Sequence, residues 1–140
     1  MTLLVLSGPN LNLLGQREPE VYGPATLADL EAGLRTAFPD VDFAFQQHNS
    51  EGALIDALHQ AEADGVVFNP GGYAHTSVAL HDAVLAIDTP VVEVHLSNVH
   101  AREPFRQRLV IAPAAAGVIA GFGAAGYRLA VQYFLDRDAG

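Results

Sequence analysis

Apolar positions along the chain fall into short continuous runs separated by stretches of helical spacing. Residues 2–6 form an apolar run too short for a helix, which predicts a buried strand. Thr26 and Asp29 make a capping pair around Leu27, Leu30 and Leu34, and Pro39 stops the helix they start. Val41, Phe43 and Phe45 alternate as in a strand. Asn49 or Ser50 can cap a second helix carrying Leu54, Ile55, Leu58 and Ala61, with Gly65 on its C-terminal side. Residues 66–68 read as a third strand, 77–87 as a third helix ended before Pro90, and 91–95 as a fourth strand. A fifth strand is predicted over 109–112 and a last helix over 126–135.

Short strands separated by helices of this kind imply parallel pairing, because each crossover takes roughly a dozen residues or more. The pattern predicts an α/β fold, a flavodoxin-like open sandwich with a five-stranded parallel sheet and helices on both faces. Residues 1–140 read as a single domain without linker or repeat. Ligands of such sheets bind beyond the carboxyl ends of the strands, which selects the loops 7–23, 46–50, 69–76 and 96–106. The first is long for a connection that usually has roughly two to six residues. It is either a surface excursion or a mobile lid.

Composition narrows the chemistry. With 140 residues, half of them hydrophobic and 16% charged, the chain can bury a core of its own, and disorder is excluded. A net charge of −9 argues against nucleic acid or an anionic membrane as partner. Cys is absent, so thiol nucleophiles, thiolate metal sites and disulfides are excluded. The seven basic residues are all Arg (17, 35, 102, 106, 108, 128 and 137), so Lys is absent too. No Schiff base with a carbonyl substrate can form on a lysine side chain. Residues 1–6 lack a basic start, and the Ala- and Gly-rich run 111–126 falls short of the ~20 residues of a span, so a cytoplasmic location is expected.

Several residue groups carry candidate chemistry. Gly121, Gly123 and Gly126 fit a dinucleotide fingerprint, but they come after the last predicted strand, and close helix packing explains them better. The six His residues show no metal-ligand spacing. Glu93 and His95 share a strand face, and a carboxylate against an imidazole is a way to orient a general acid or base. Arg102, Arg106 and Arg108 follow closely and suggest an anion site. In the 69–77 segment Gly71 and Gly72 let the backbone approach a ligand, while Asn69 and His75 offer hydrogen bonds to hydroxyls.

Five ordered motifs then give a resemblance that covers residues 3–135. They are Gly8-Pro9-Asn10-Leu11-Asn12-Leu13-Leu14-Gly15; Arg17-Glu18-Pro19 with Tyr22-Gly23; the 69–77 segment; Glu93-Val94-His95-Leu96-Ser97-Asn98; and Arg102-Glu103-Pro104-Phe105-Arg106. The chain resembles the type II 3-dehydroquinate dehydratases, or type II dehydroquinases. The resemblance implies a single catalytic domain that dehydrates 3-dehydroquinate to 3-dehydroshikimate, a step of the shikimate pathway, by an enolate route without metal or cofactor. It implies a homo-oligomer, a dodecamer built as a tetramer of trimers.

Residue roles follow from the same resemblance. Tyr22 would remove the proton beside the ketone, with Arg17 as its electrostatic partner. Asn10 would hold the water that stabilises the enolate. His95 would protonate the departing hydroxyl and Glu93 would orient it. Asn69, Gly71, His75, Asp82 and Arg106 would bind the substrate's hydroxyl end, with Leu96 and Ser97 at its carboxylate. Ser7, His48, Gly72 and Leu109 depart from the usual pattern of the family. The absence of Lys agrees independently, since it leaves aimed hydrogen bonds rather than an iminium to stabilise an enolate.

Two other functions share the fold class. A flavin mononucleotide carrier would want a hydroxyl-rich phosphate loop after the first strand, where this chain has Ser7-Gly8-Pro9-Asn10. A phosphate-accepting receiver domain would want clustered Asp and a Lys, and Asn69 and the missing Lys argue against it.

Overall fold

The computed structural model describes residues 1–139, in which the first apolar run becomes β1 (Thr2–Ser7). A 3-10 turn at Leu11–Leu13 and a short helix α1 (Pro19–Tyr22) lead to α2 (Leu27–Ala37). Then come β2 (Asp42–Gln47), α3 (Glu51–His59), β3 (Gly65–Asn69), α4 (Val78–Ala86) and β4 (Val91–His95). A series of 3-10 turns over 99–114 precedes β5 (Gly117–Ala120) and α5 (Ala125–Ala139). Among the described residues the sheet has five strands in the order β2-β1-β3-β4-β5, all parallel.

Both faces of this sheet are covered, which explains why its inner strands read as continuous apolar runs rather than alternating ones. Leu3 and Val5 of β1 face the core that α2 and α5 close with Leu30, Leu34, Tyr127, Val131 and Phe134. Leu4 and Leu6 face the opposite core, closed by Leu54 and Leu58 of α3 and Leu80 and Val84 of α4. Each such Leu, fully withdrawn from water, stabilises the fold by roughly 1.5–3 kcal/mol.

The helix starts are those the sequence marks. Thr26 and Asp29 cap α2 reciprocally at 3.1 and 3.0 Å, and the hydrogen bonds from Thr26 hold the Asp29 carboxyl below its ordinary range. Of the two candidate caps before α3, Ser50 takes the role through the Ala53 N–H at 3.3 Å. Ser77 caps α4 and also donates to Glu51 at 2.5 Å, which ties the first turns of α3 and α4 together.

The expected fifth strand over 109–112 is not where the sheet ends. Ile111 is fully buried under α4, the turn Ala112–Ala114 follows it, and the strand is β5, eight residues further on. Register explains the choice. The Ala116 N–H donates to the Val91 carbonyl at 2.7 Å, and Gly117 to Ala120 then pair with Val92 to His95. Gly65 likewise opens β3 rather than closing α3, and a Cβ there would lie 2.5 Å from the Phe134 ring.

Candidate active site

The strand order reverses direction between β1 and β3, since β1 leads outward to β2 while β3 leads the other way. Beyond the carboxyl ends of β1, β3 and β4 lies the cavity that such a switch point creates. Pro9, Asn10 and Leu11 come to it from β1, Asn69, Gly71, Gly72 and His75 from β3, and His95, Leu96 and Ser97 from β4. Arg17 and Tyr22 close one side, and Val99, Arg102 and Arg106 the other.

The β1 and β3 loops are stitched together where they face this cavity. The Gly8 N–H donates to the Asn69 carbonyl at 2.8 Å, and a Cβ on Gly8 would meet the Pro70 carbonyl oxygen at 2.5 Å. Only glycine permits that approach. Asn10 sits in the left-handed region at φ 69°, which Asn tolerates better than most residues, and its N–H donates to Asn49 Oδ1 at 3.1 Å. Gln47 Nε2 donates to that same oxygen at 3.0 Å and to the Gly8 carbonyl at 3.1 Å. Asn69 is buried, donates from Nδ2 to the Tyr127 hydroxyl at 2.9 Å and accepts the Gly71 N–H on Oδ1 at 3.1 Å.

Tyr22 stands between two guanidinium groups. Arg102 Nη1 donates to its hydroxyl at 2.9 Å and also reaches Ser97 Oγ at 3.3 Å. The Arg17 guanidinium carbon lies 5.3 Å from the Tyr22 ring centroid, and that of Arg102 lies 5.1 Å away. The guanidinium of Arg102 thus places a charged donor directly at the phenolic oxygen.

His95 and Glu93 share one face of β4, both buried, with Nε2 and Glu93 Oε2 2.6 Å apart. With the proton on Nε2 donated to that carboxylate, Nδ1 is the nitrogen left for proton exchange. Glu93 Oε1 is buried without a hydrogen-bond partner among the described residues, so His95 is the contact that engages this carboxylate. The His75 ring is 6.2 Å from that of His95, centroid to centroid, and its Nδ1 meets the Arg108 carbonyl at 3.0 Å. Burial lowers the His75 imidazole below its ordinary range; the Arg108 carbonyl opposes this, and the neighbouring His95 and Arg106 add to it. Arg106 is ion-paired with Glu103, whose carboxyl this hydrogen bond holds below its ordinary range.

Ten of the residues singled out in the sequence thus line one cavity: Asn10, Arg17, Tyr22, Asn69, Gly71, His75, His95, Leu96, Ser97 and Arg106. Glu93 lies directly behind His95. Asp82 does not join them. It is exposed on α4, beside a second depression that it lines with Val78, His81 and Arg108. Arg102 touches the Tyr22 hydroxyl, although the sequence marks it only as part of an anion site and the resemblance gives Arg17 as the partner of that residue. The arginine-rich run signals the region but not which guanidinium turns inward. Among the described residues no group of three or more His, Asp or Glu side chains is placed to hold a metal ion.

Comparison with known proteins agrees with the geometry. The sequence model of the family described as "Dehydroquinase class II" matches residues 1–135. A protein of Agrobacterium fabrum named 3-dehydroquinate dehydratase 1 is 56% identical over 134 residues, which is 93% of this chain and 92% of its own. A Bacillus licheniformis protein named 3-dehydroquinate dehydratase is 57% identical over 140 residues, 97% of each chain. The crystal structure of a type II dehydroquinase from Butyrivibrio crossotus superimposes with a TM-score of 0.93 at 38% identity, covering 96% of this chain and 97% of that one.

Proposed function

The chain belongs to the class II dehydroquinase family and is, by that membership, a hydro-lyase of the 3-dehydroquinate dehydratase kind; from that premise we propose that it works through an enolate, with Tyr22 as base and His95 as acid. The Tyr22 phenolate takes the proton beside the ketone of 3-dehydroquinate, and the electron pair of that C–H bond moves into an enolate. Donors near Asn10, with a water it holds, stabilise the developing oxyanion. The enolate then collapses, the β C–O bond breaks, and His95, entering the step as an imidazolium with Nε2–H on Glu93, gives its Nδ1 proton to the departing hydroxyl; the proton held by Tyr22 returns to Nδ1 through water before the next turnover. Substrate becomes 3-dehydroshikimate plus water, with no net oxidation and no metal or cofactor.

The carrying observation is that an arginine-bound phenol and a carboxylate-backed imidazole open onto the same cavity. Glu93 keeps the His95 tautomer in register by holding Nε2–H. Asn69, Gly71, His75 and Arg106 bind the hydroxyl end of the substrate, while Leu96 and Ser97 hold its carboxylate. The test is the rise of enone absorbance when the purified protein meets 3-dehydroquinate, with and without a strong chelator. Equal rates are expected; a rate that chelation removes and added metal restores would overturn the cofactor-free route.

We also propose that the chain assembles as a closed homo-oligomer, a tetramer of trimers. The run 111–126 has no charged residue in a chain of net charge −9, and it carries the edge strand β5. Val118, Phe122, Leu129 and Tyr133 are exposed on or after it, and apolar patches of this kind mark interfaces. Light scattering that returned a monomer at micromolar concentration would refute the assembly.

A further inference from the structure

Tyr127 lies in the first turns of α5, fully buried in the core beneath the sheet, and does not line the cavity. Filling that core asks only for an aromatic ring. A hydroxyl there lowers stability unless it is bonded, so what the oxygen does needs its own explanation. It accepts from Asn69 Nδ2 at 2.9 Å, with the Ser7 side chain close beside it. Ser7 and Asn69 are register partners on β1 and β3, at the point where the strand order reverses. The phenol therefore meets, from behind, the two strand ends from which the cavity opens.

The amide of Asn69 is the one group that belongs to both the core network and the cavity. An amide has two N–H donors and two acceptor lone pairs on its oxygen. Tyr127 takes one donor, and the Gly71 N–H takes one lone pair. These two bonds fix which end of the amide is nitrogen and which is oxygen, and they leave one donor and one acceptor for a ligand hydroxyl.

We infer that Tyr127 is a positioning residue for the substrate: through its hydroxyl it holds the Asn69 amide in the orientation that binds a hydroxyl group. This rests on the reading above that Asn69 binds substrate. Burial pushes the phenol up to about 12, against the opposing effect of Asn69 and Ser7, so it stays protonated at neutral pH and well above it. The network therefore keeps one arrangement of donors across that range. Pre-setting an amide in this way spares the ligand the cost of ordering it.

The experiment is a cycle of Tyr127→Phe, Asn69→Ala and the double variant, with kcat and KM measured separately and the thermal midpoint recorded for each. Tyr127→Phe keeps the ring and removes one oxygen. It should raise KM for 3-dehydroquinate about five- to tenfold, the scale of one hydrogen bond, with kcat within about twofold. Asn69→Ala should raise KM at least as much, and the double variant no further than Asn69→Ala alone, because the two residues act as a unit. If Asn69→Ala raises KM while Tyr127→Phe shifts only the thermal midpoint, Tyr127 is a packing residue and the inference fails alone. If the two effects multiply in the double variant, Tyr127 does not act through Asn69, and the inference fails. If Asn69→Ala leaves KM unchanged, the substrate role of Asn69 fails, and this inference with it.

Discussion

His95 reaches the cavity from the end of β4, whose five residues are all buried, whereas Tyr22 reaches it from α1, a four-residue helix with no buried residue. The imidazole is held by a carboxylate two positions back on the same strand, so backbone geometry alone brings the pair together. The phenol is held by a guanidinium eighty positions away, and its flanking residues Val21 and Gly23 pack on little. The anchors of the first loop, Leu11 and Leu14, are buried, but they precede the Tyr22 segment. One side of the site is thus positioned by the sheet, and the other by charge and hydrogen bonds across a gap. Perturbing the sheet should cost fold and function together on the first side; on the second, function should be separable from fold.

The largest effects should come from removing the two residues proposed above to carry protons. Tyr22→Phe and His95→Ala should each lower kcat by about 10²–10⁴, as seen by kinetic constants and ligand titration; Tyr22→Phe should keep the parent thermal midpoint, whereas His95→Ala, which leaves Glu93 buried without its partner, should lower it. If Tyr22→Phe kept its turnover at saturation and lost only affinity, the loop side would be a packing element and the comparison would collapse to a single working side.

A smaller difference would sharpen the contrast between the two arginines. Arg102 donates to the phenolic oxygen, while Arg17 meets only the ring and pairs with exposed Glu18 at 3.6 Å. Arg102→Ala should therefore reduce kcat about tenfold more than Arg17→Ala, with both variants melting near the parent temperature. Equal losses would mean that the loop takes a second arrangement during turnover, one in which Arg17 replaces Arg102 at the oxygen.

The smallest effect concerns stability on the sheet side, where Tyr127 is a buried phenol held protonated. Its folded value near 12 exceeds the ordinary 10, so its contribution is complete below about pH 10 and is lost as pH rises through 12. At pH 11 this amounts to about 1.4 kcal/mol, half of the full loss. Urea midpoints at pH 9 and pH 11 should fall further for the parent than for Tyr127→Phe. Identical falls would show that this proton is not held by the fold.

Much of the site was legible in the sequence because its parts are local. The 69–77 segment folds its own turn through the Asn69–Gly71 bond, and Glu93 and His95 share a face by strand alternation alone. The caps of α2, α3 and α4 were readable for the same reason: a cap and the backbone N–H that donates to it lie three residues apart. Alternation and apolar runs likewise determined a parallel α/β sheet with two cores.

What the sequence could not decide was every choice between equivalent neighbours. Residues 109–112 and 117–120 are comparably apolar, and only the register against β4 makes the second a strand and sends Ile111 under α4. Arg102 and Arg108 are both cations in one run, yet Arg102 turns to Tyr22 while Arg108 faces the outer depression where Asp82 lies. Tyr127 fits a helical core pattern, and its bond to Asn69 spans 58 positions. Local propensity depends on neighbours along the chain, whereas which side chain enters a cavity depends on groups that meet only when the sheet has closed.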